Sequence, residues 1–346
     1  MRSAQAAADR VYMKRALALA REAWGKTAPN PMVGAVVVKN GRIVGEGYHH
    51  KAGLPHAEVN ALNAAGVNAD GATIYVTLEP CSTYGRTPPC TEAIKRANIK
   101  RVVCASEDFN PQHAGNGFDI LRKANIEVKV GVCRKEALEL NKAFFSHITR
   151  KRPYVLLKMA MTLDGKIATA SGDSKWITSS AARQRVQKLR QWCDAIMVGG
   201  ETVRLDRPGL VVREPEKWEN QPQKLIYTQM SGEDLQEYFP GDKNVRAVAP
   251  QTQTEWLELL AELGKNNITA LLLEGGGELA GKALQAKIVD EVEFHVAPKI
   301  LCGRNSRGVV AGENPLKLAE ALNLENMQIK RAACDLIISG KVKIEE

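Results

Sequence analysis

One imidazole, two thiols and one acid occur in an order that suits hydrolytic chemistry. His56-Ala57-Glu58 is followed, across a β-rich interval, by Pro80-Cys81 and Pro89-Cys90. Zinc takes imidazole nitrogen and thiolate sulfur, and three protein ligands leave a fourth position for a water whose pKa falls toward neutrality; a structural site closed by four ligands has no such position. Glu58, two residues past the imidazole and not needed as a ligand, is placed to take the proton from that water and hand it to a leaving group. Singly, each residue reads as a buried thiol or an ordinary helix histidine. The ordered set points to a metal.

Such residues need elements to hold them. Residues 56–65 read as a short helix with His56 and Glu58 in its first turn. Residues 73–78 (TIYVTL) read as a buried strand, which puts Cys81 just past a strand end. Cys90 opens a helix, CTEAIKRAN, whose N-terminal amides favour a thiolate. An amphipathic helix over 9–24 precedes VGAVVVK and IVGEGYH, which are joined at Asn40-Gly41, a two-residue hairpin signal. Helices and strands alternate to about Val130, predicting a three-layer α/β domain with helices on both faces of a mixed sheet. A helix over 135–148 then runs into Thr149-Arg150-Lys151-Arg152-Pro153, a charged stretch ending in proline, which places the domain boundary between 1–150 and 151–346. Beyond it, YVLLKMAM, AIMVGG, KLIYTQ, ITALLLEGGG and VDEVEFHVAPKI are the strand candidates. EGGGELAG follows ITALLLE and opens a helix, so its amides form an anion site. A Rossmann reading of Gly275, Gly277 and Ala280 fails, because too little chain follows and Asp290 precedes a strand rather than ending one.

The segment LEPCSTYGRTPPC, from Leu78, resembles the deaminase half of the bifunctional riboflavin-biosynthesis deaminase/reductase. Zinc-dependent nucleobase deaminases commonly place two residues between the cysteines, whereas eight intervene here and belong to the resemblance. Further motifs of that family run along nearly the whole chain: NPMVG from Asn30, GYH from Gly47, HAEVNAL from His56 and EDFNPQHAGNG from Glu107, then KMAMTLDGKIAT from Lys158, GDSKWIT from Gly172 and EGGGELAG from Glu274. The resemblance implies an N-terminal cytidine-deaminase-like domain and a C-terminal dihydrofolate-reductase-like α/β domain. It implies zinc-dependent deamination of a phosphoribosylaminopyrimidine, then reduction of its ribosyl group to ribityl with NADPH, with one Zn2+ per chain on His56, Cys81 and Cys90.

By the same resemblance Asn30, His49, Arg86, Asp108 and Asn110 correspond to substrate contacts, although Asn30 and Asn110 precede prolines and alone read as turn residues. In the second half Ser174, Arg190, Leu210, Arg213 and Glu274 correspond to substrate contacts, the arginines being suited to a phosphate. Ala160, Trp176, Thr202 and Asp206 correspond to NADPH contacts, as does the stretch Gly276, Gly277, Glu278, Leu279, Ala280, Gly281 and Lys282. Hydride transfer needs no side-chain nucleophile, so Lys158 and Glu274 are read as managing protons while the ribosylamine opens. The chain departs from the family pattern at Thr83 and Tyr84, where two histidines are usual, and at Arg207, where a second aspartate is.

With 346 residues, 44% of them hydrophobic, the chain can bury two cores. Seven cysteines, two of them committed to metal, and an N-terminus without an apolar leader fit a reducing cytoplasm. No run approaches a membrane span. A net charge of +9 raises nucleic acid as a partner, but the basic residues are interleaved with carboxylates and lack the aromatics of a single-strand channel. A small phosphorylated pyrimidine and a polyphosphate cofactor favour basic clefts equally, so the expected partners are these, on a homo-oligomer, with no nucleic acid and no membrane. The runner-up, an RNA-directed adenosine deaminase with an accessory domain, has no use for TLDGKIAT, GDSKWIT or EGGG. A zinc-stabilised scaffold has none for Glu58.

Overall fold

A strand whose residues are buried on both faces needs cover on both, and β1 (Gly34–Lys39) is buried at every position but its terminal lysine. In the computed structural model, which describes residues 2–84, 88–110, 114–313 and 315–343, the chain forms two units, Met1–Lys151 and Arg152–Glu346. In the first, β1 pairs antiparallel with β2 (Arg42–Tyr48) and with β3 (Thr73–Val76), and β4 (Arg101–Cys104) and β5 (Glu127–Val130) continue in parallel, giving the order β2-β1-β3-β4-β5. The hairpin turns at Asn40 and Gly41, both at positive φ, as a primed turn requires.

Alternation along β1 sends Ala35 and Val37 to one face and Val36 and Val38 to the other. On the first face lie α2 (Ala57–Ala65), α3 (Cys90–Arg96) and α4 (Asn116–Lys123), through Ala61, Ile94 and Leu121. On the second lie α1 (Arg2–Arg21) and α5 (Arg134–Leu140), through Met13, Leu17 and Ala137. Asp9 of α1 is fully buried and joins that helix to three strands, accepting from Arg101 at 2.8 and 2.9 Å, Lys129 at 2.8 Å and Tyr75 at 2.9 Å.

The single helix expected over 135–148 is two, α5 and α6 (Lys142–Arg150). Asn141 stands at the break: its Nδ2 donates to Met32 O at 2.9 Å and its Oδ1 accepts from Met32 N at 2.8 Å, satisfying both backbone groups of that buried residue.

In the second unit the strands are β6 (Tyr154–Thr162), β7 (Lys166–Ala168), β8 (Ala195–Gly199), β9 (Gln223–Tyr227), β10 (Val245–Val248), β11 (Ala270–Glu274), β12 (Glu291–Ala297), β13 (Arg307–Gly308), β14 (Leu324–Ala332) and β15 (Asp335–Val342). Eight of them form one sheet, β10-β9-β8-β11-β6-β12-β15-β14, parallel from β10 to β12 and antiparallel beyond. The helices are α7 (Ser180–Trp192), α8 (Gly200–Asp206), α9 (Gly232–Tyr238), α10 (Gln253–Lys265) and α11 (Gly277–Gln285). The last two cover one face through Trp256, Leu260, Leu279 and Ala283. Because β11 inserts between β8 and β6, strand order reverses there, and the carboxyl ends of these strands open on a crevice of the kind that holds ligands in α/β sheets. Asp290 accepts from Val155 N at 2.8 Å and Arg152 at 3.0 Å, which fixes the start of β6. Among the described residues, no helix is long and apolar enough to cross a membrane.

Candidate active sites

In the first unit the site begins with a close helix-on-strand contact. A Cβ on Gly47 of β2 would meet Ala61 N at 2.5 Å and Ala57 O at 2.8 Å, so glycine there lets α2 lie against the sheet. His56 is the N-cap of α2, one position before the helical turn expected for it, and Glu58 lies in the first turn, 3% exposed. Cys90 is the first residue of α3, and Cys81 lies beyond the end of β3.

His56 Nδ1 stands 3.3 Å from Cys90 Sγ and 3.5 Å from Cys81 Sγ, and all three atoms lie within 4.8 Å of one another. Tetrahedral zinc with bonds of about 2.0 Å to nitrogen and about 2.3 Å to sulfur separates N from S by roughly 3.5 Å. The donor set and its spacing therefore fit this ion. The hydrogen bond between the two thiols, with the imidazole beside it, lowers the proton affinity of Cys81 and raises that of Cys90, so Cys81 is the first of the pair to offer the thiolate a metal needs. Burial, with the Cys81 charge added, pushes the Glu58 carboxyl up to about 7.

His49 packs edge-on to His56, ring centroids 5.2 Å apart. Its Nδ1 lies 3.2 Å from Pro55 O and its Nε2 3.1 Å from Asn30 Nδ2. A carbonyl only accepts, so Nδ1 carries the proton and Nε2 accepts from Asn30. Burial lowers the proton affinity of this imidazole, as a neutral ring requires. Asn30 and His49 are thus brought beside the His56 cluster. Asp108 and Asn110 form a turn, Asn110 N donating to Asp108 Oδ1 at 2.9 Å. Glu79 accepts from the Asp108 amide at 3.1 Å; in the sequence it is marked by nothing but its place before Pro80-Cys81. Tyr84 is 79% exposed. Arg86 lies outside the described residues.

The second unit holds a cleft of about 1090 Å³ at the strand-order reversal. Ser174, Arg190, Leu210, Arg213 and Glu274 line it, as do Ala160, Trp176, Thr202 and Asp206. The glycine turn contributes Gly276, Gly277, Glu278 and Leu279. Gly275 and Gly276 have φ of 75° and 86°, which favour glycine, and a Cβ on Gly277 would meet Gly308 O at 2.8 Å. The turn so formed opens α11 toward the cleft.

Ala280, Gly281 and Lys282 are not among the lining residues. Ala280 is fully buried, a Cβ on Gly281 would meet Ala311 O at 1.9 Å, and Lys282 Nζ donates to Gln251 at 3.4 Å. Once past its first turn, α11 faces the core and its neighbours.

Three neighbouring strands place charges in one row. Lys158 of β6 is the register partner of Glu274 on β11 and of Glu293 on β12, and partners on adjacent strands stand on one face about 4.8 Å apart. From α7, Arg190 clasps Glu274 at 2.8 and 2.7 Å, and Arg185 clasps Glu293 at 3.1 and 2.8 Å. His295 Nε2 lies 2.8 Å from Glu293 Oε1, the oxygen that also accepts from Arg185 Nε. Burial lowers the proton affinity of Lys158, opposed by Glu274. Burial works against ionisation of Glu274, but Arg190 and Lys158 outweigh it and hold its carboxyl below the usual range. Arg190, expected at the phosphate, spends its fork on Glu274 and a third donor on Val211 O at 3.2 Å. Ser174 donates to Asp206 at 3.1 Å, and the Arg183 guanidinium sits 4.6 Å from the centroid of the exposed Trp176 ring.

Comparison with known proteins covers both units. The profile of the cytidine and deoxycytidylate deaminase zinc-binding region matches residues 6–106, and that of the RibD C-terminal domain matches residues 153–338. The chain is 44% identical to riboflavin biosynthesis protein RibD of Aquifex aeolicus, over 96% of this chain and 98% of the relative. It is 41% identical to the RibD of Escherichia coli, over 95% and 98%. The solved RibD of Acinetobacter baumannii superposes with a TM-score of 0.86 at 38% identity, covering 98% of this chain and all of that one. The deaminase/reductase of Thermotoga maritima gives 0.85 at 33% identity, with the same coverage. The first unit is cytidine-deaminase-like and the second a dihydrofolate-reductase-like reductase fold. A deaminase and a reductase matched together over nearly the whole chain leave the RNA-directed alternative without support.

Proposed function

The chain belongs to the RibD family, bifunctional zinc- and NADPH-using deaminase/reductases of riboflavin biosynthesis, and on that premise we propose which of its residues carry each reaction. His56, Cys81 and Cys90 hold the zinc, and the observation that carries this reading is the separation of their donor atoms, 3.3 and 3.5 Å. Bound there, zinc supplies an activated water for attack on the pyrimidine ring. Glu58, buried at the start of α2 beside Cys90, takes the proton from that water and returns it to the departing amine. Asn30, oriented by His49, reads the pyrimidine edge, together with Asp108, Asn110 and Arg86.

NADPH supplies the hydride for the second step. The amides of Gly276 and Gly277 at the start of α11 face a cofactor phosphate, with Ala160, Trp176, Thr202, Asp206, Glu278 and Leu279 around it. Lys158 and Glu274 sit side by side on neighbouring strands, an ammonium and a carboxylate able to deliver and receive the proton as the ribosylamine opens. Arg190 fixes Glu274, which leaves the substrate phosphate to Arg213, whose side chain is exposed at the cleft.

The substrate is a small phosphorylated pyrimidine, and nucleic acid has no part in the reaction. The seven cysteines are all free of disulfides, which supports a reducing, cytoplasmic setting. The edge strand β14 leaves Met327 and Ile329 exposed, the surface on which a homo-oligomer would form; sedimentation of wild type against Ile329→Lys tests this. For the two reactions the test is direct: purified protein should deaminate the diaminopyrimidine phosphate and, given NADPH, reduce the product. Deamination without NADPH oxidation would refute the assignment of the second unit.

A further inference from the structure

We propose that Glu79 is a positioning residue for deamination, tying the turn that carries Asp108 and Asn110 to the turn that carries Cys81. The proposal rests on the reading above that Asp108 and Asn110 contact the pyrimidine. Glu79 is 6% exposed, and among the described residues its carboxylate is met by backbone amides: Oε2 accepts from Asp108 N and Gly115 N, each at 3.1 Å, and Oε1 from Gly117 N at 2.9 Å. Its own amide donates to Ser106 O at 3.0 Å.

A buried carboxylate is costly unless its lone pairs are filled, and these four bonds all go to residues 106–117. The start of α4 has no side-chain cap of its own, since its N-cap is Gly115. Glu79 satisfies amides there that helix geometry leaves without intrahelical partners. The contact is tight on the other side as well: a Cβ on Gly117 would meet Pro80 O at 2.3 Å, so α4 begins directly against the peptide that precedes Cys81. Among the described residues Glu79 does not belong to the His56, Cys81 and Cys90 group. Its oxygens serve the segment that carries Asp108, one residue removed from the metal-binding turn.

Glu79→Gln keeps the shape but replaces one acceptor by an NH2 that must face an amide donor. On the full-length protein, zinc content and NADPH oxidation should stay at wild-type levels, while the deaminase KM rises roughly tenfold with a smaller change in kcat. Amide exchange at Asp108, Gly115 and Gly117 should quicken. Asn110→Ala should raise KM as well, and in that background Glu79→Gln should add little, because the two changes act on one contact. If Asn110→Ala raises KM and Glu79→Gln does not, Glu79 does not position the segment. If Glu79→Gln instead loses zinc, its role is to hold the Cys81 turn and the proposal is wrong. If neither Asn110→Ala nor Asp108→Ala changes KM, the substrate reading of the segment falls, and the proposal with it.

Discussion

Glu58 is the residue whose replacement separates chemistry from metal binding. Glu58→Gln keeps size and polarity but cannot shuttle a proton; zinc content should be unchanged and deaminase turnover should fall by about two to four orders of magnitude, as measured by ring deamination beside metal analysis. Near-normal turnover would give the task to another group. In the second unit, Lys158→Met removes the ammonium between Glu274 and Glu293. NADPH oxidation should drop by roughly a hundredfold or more with deamination untouched, and equal losses in both assays would point to misfolding instead. The zinc-ligand candidates were legible because metal chemistry demands particular residue types in order. Glu79 was not, because its partners lie at Asp108, Gly115 and Gly117 and nothing local announces them. Arg190 shows the converse: a residue type suited to phosphate, whose fork the fold gives to Glu274.

At the scale of elements, the glycine turn before α11 and the break between α5 and α6 each rest on one position. Gly276→Glu adds a side chain where φ is 86° and a negative charge where a phosphate must approach amides. NADPH affinity should fall at least tenfold, about 1.4 kcal/mol, with deamination preserved; unchanged titration of NADPH would place the cofactor elsewhere. Asn141→Leu strips both partners from the buried Met32 peptide and should cost about 2–4 kcal/mol, seen as a lower urea midpoint for the first unit. A neutral effect would mean that the break is set by the chain around it. The Asn40-Gly41 hairpin and the continuous apolar strands could be read from sequence because turn chemistry and two-sided burial leave local marks. The break at Asn141 depends on a backbone 109 residues away, and β14, exposed almost throughout at a sheet edge, lacks the alternation that marks a half-buried strand.

For the molecule as a whole, acid sensitivity should centre on Asp9. Burial opposes its ionisation, but Arg101 and Lys129 outweigh that and hold its carboxyl well below the usual range. A carboxylate with a depressed folded pKa stabilises above its unfolded value and loses that contribution as pH falls through the folded one. Asp9→Asn should therefore cost roughly 3 kcal/mol near neutrality, and the gap to wild type should narrow below about pH 4. Urea titrations at several pH values check this, and a gap independent of pH would contradict it. At this scale, length and composition allowed two cores, and motif order gave the two chemistries. Which charges would line up across β11, β6 and β12 needed the strand order, in which β11 enters between β8 and β6 although it follows both in sequence.

The central claim, one chain carrying a zinc deaminase and a reductase that does not depend on that metal, is tested most directly by removing the metal and assaying both reactions on the same sample. After chelation, deamination of the diaminopyrimidine phosphate should be lost while NADPH oxidation on the already deaminated pyrimidine continues, and about one equivalent of zinc per chain should restore the first activity. Full deamination by protein stripped of metal, or parallel loss of both activities, would contradict the account.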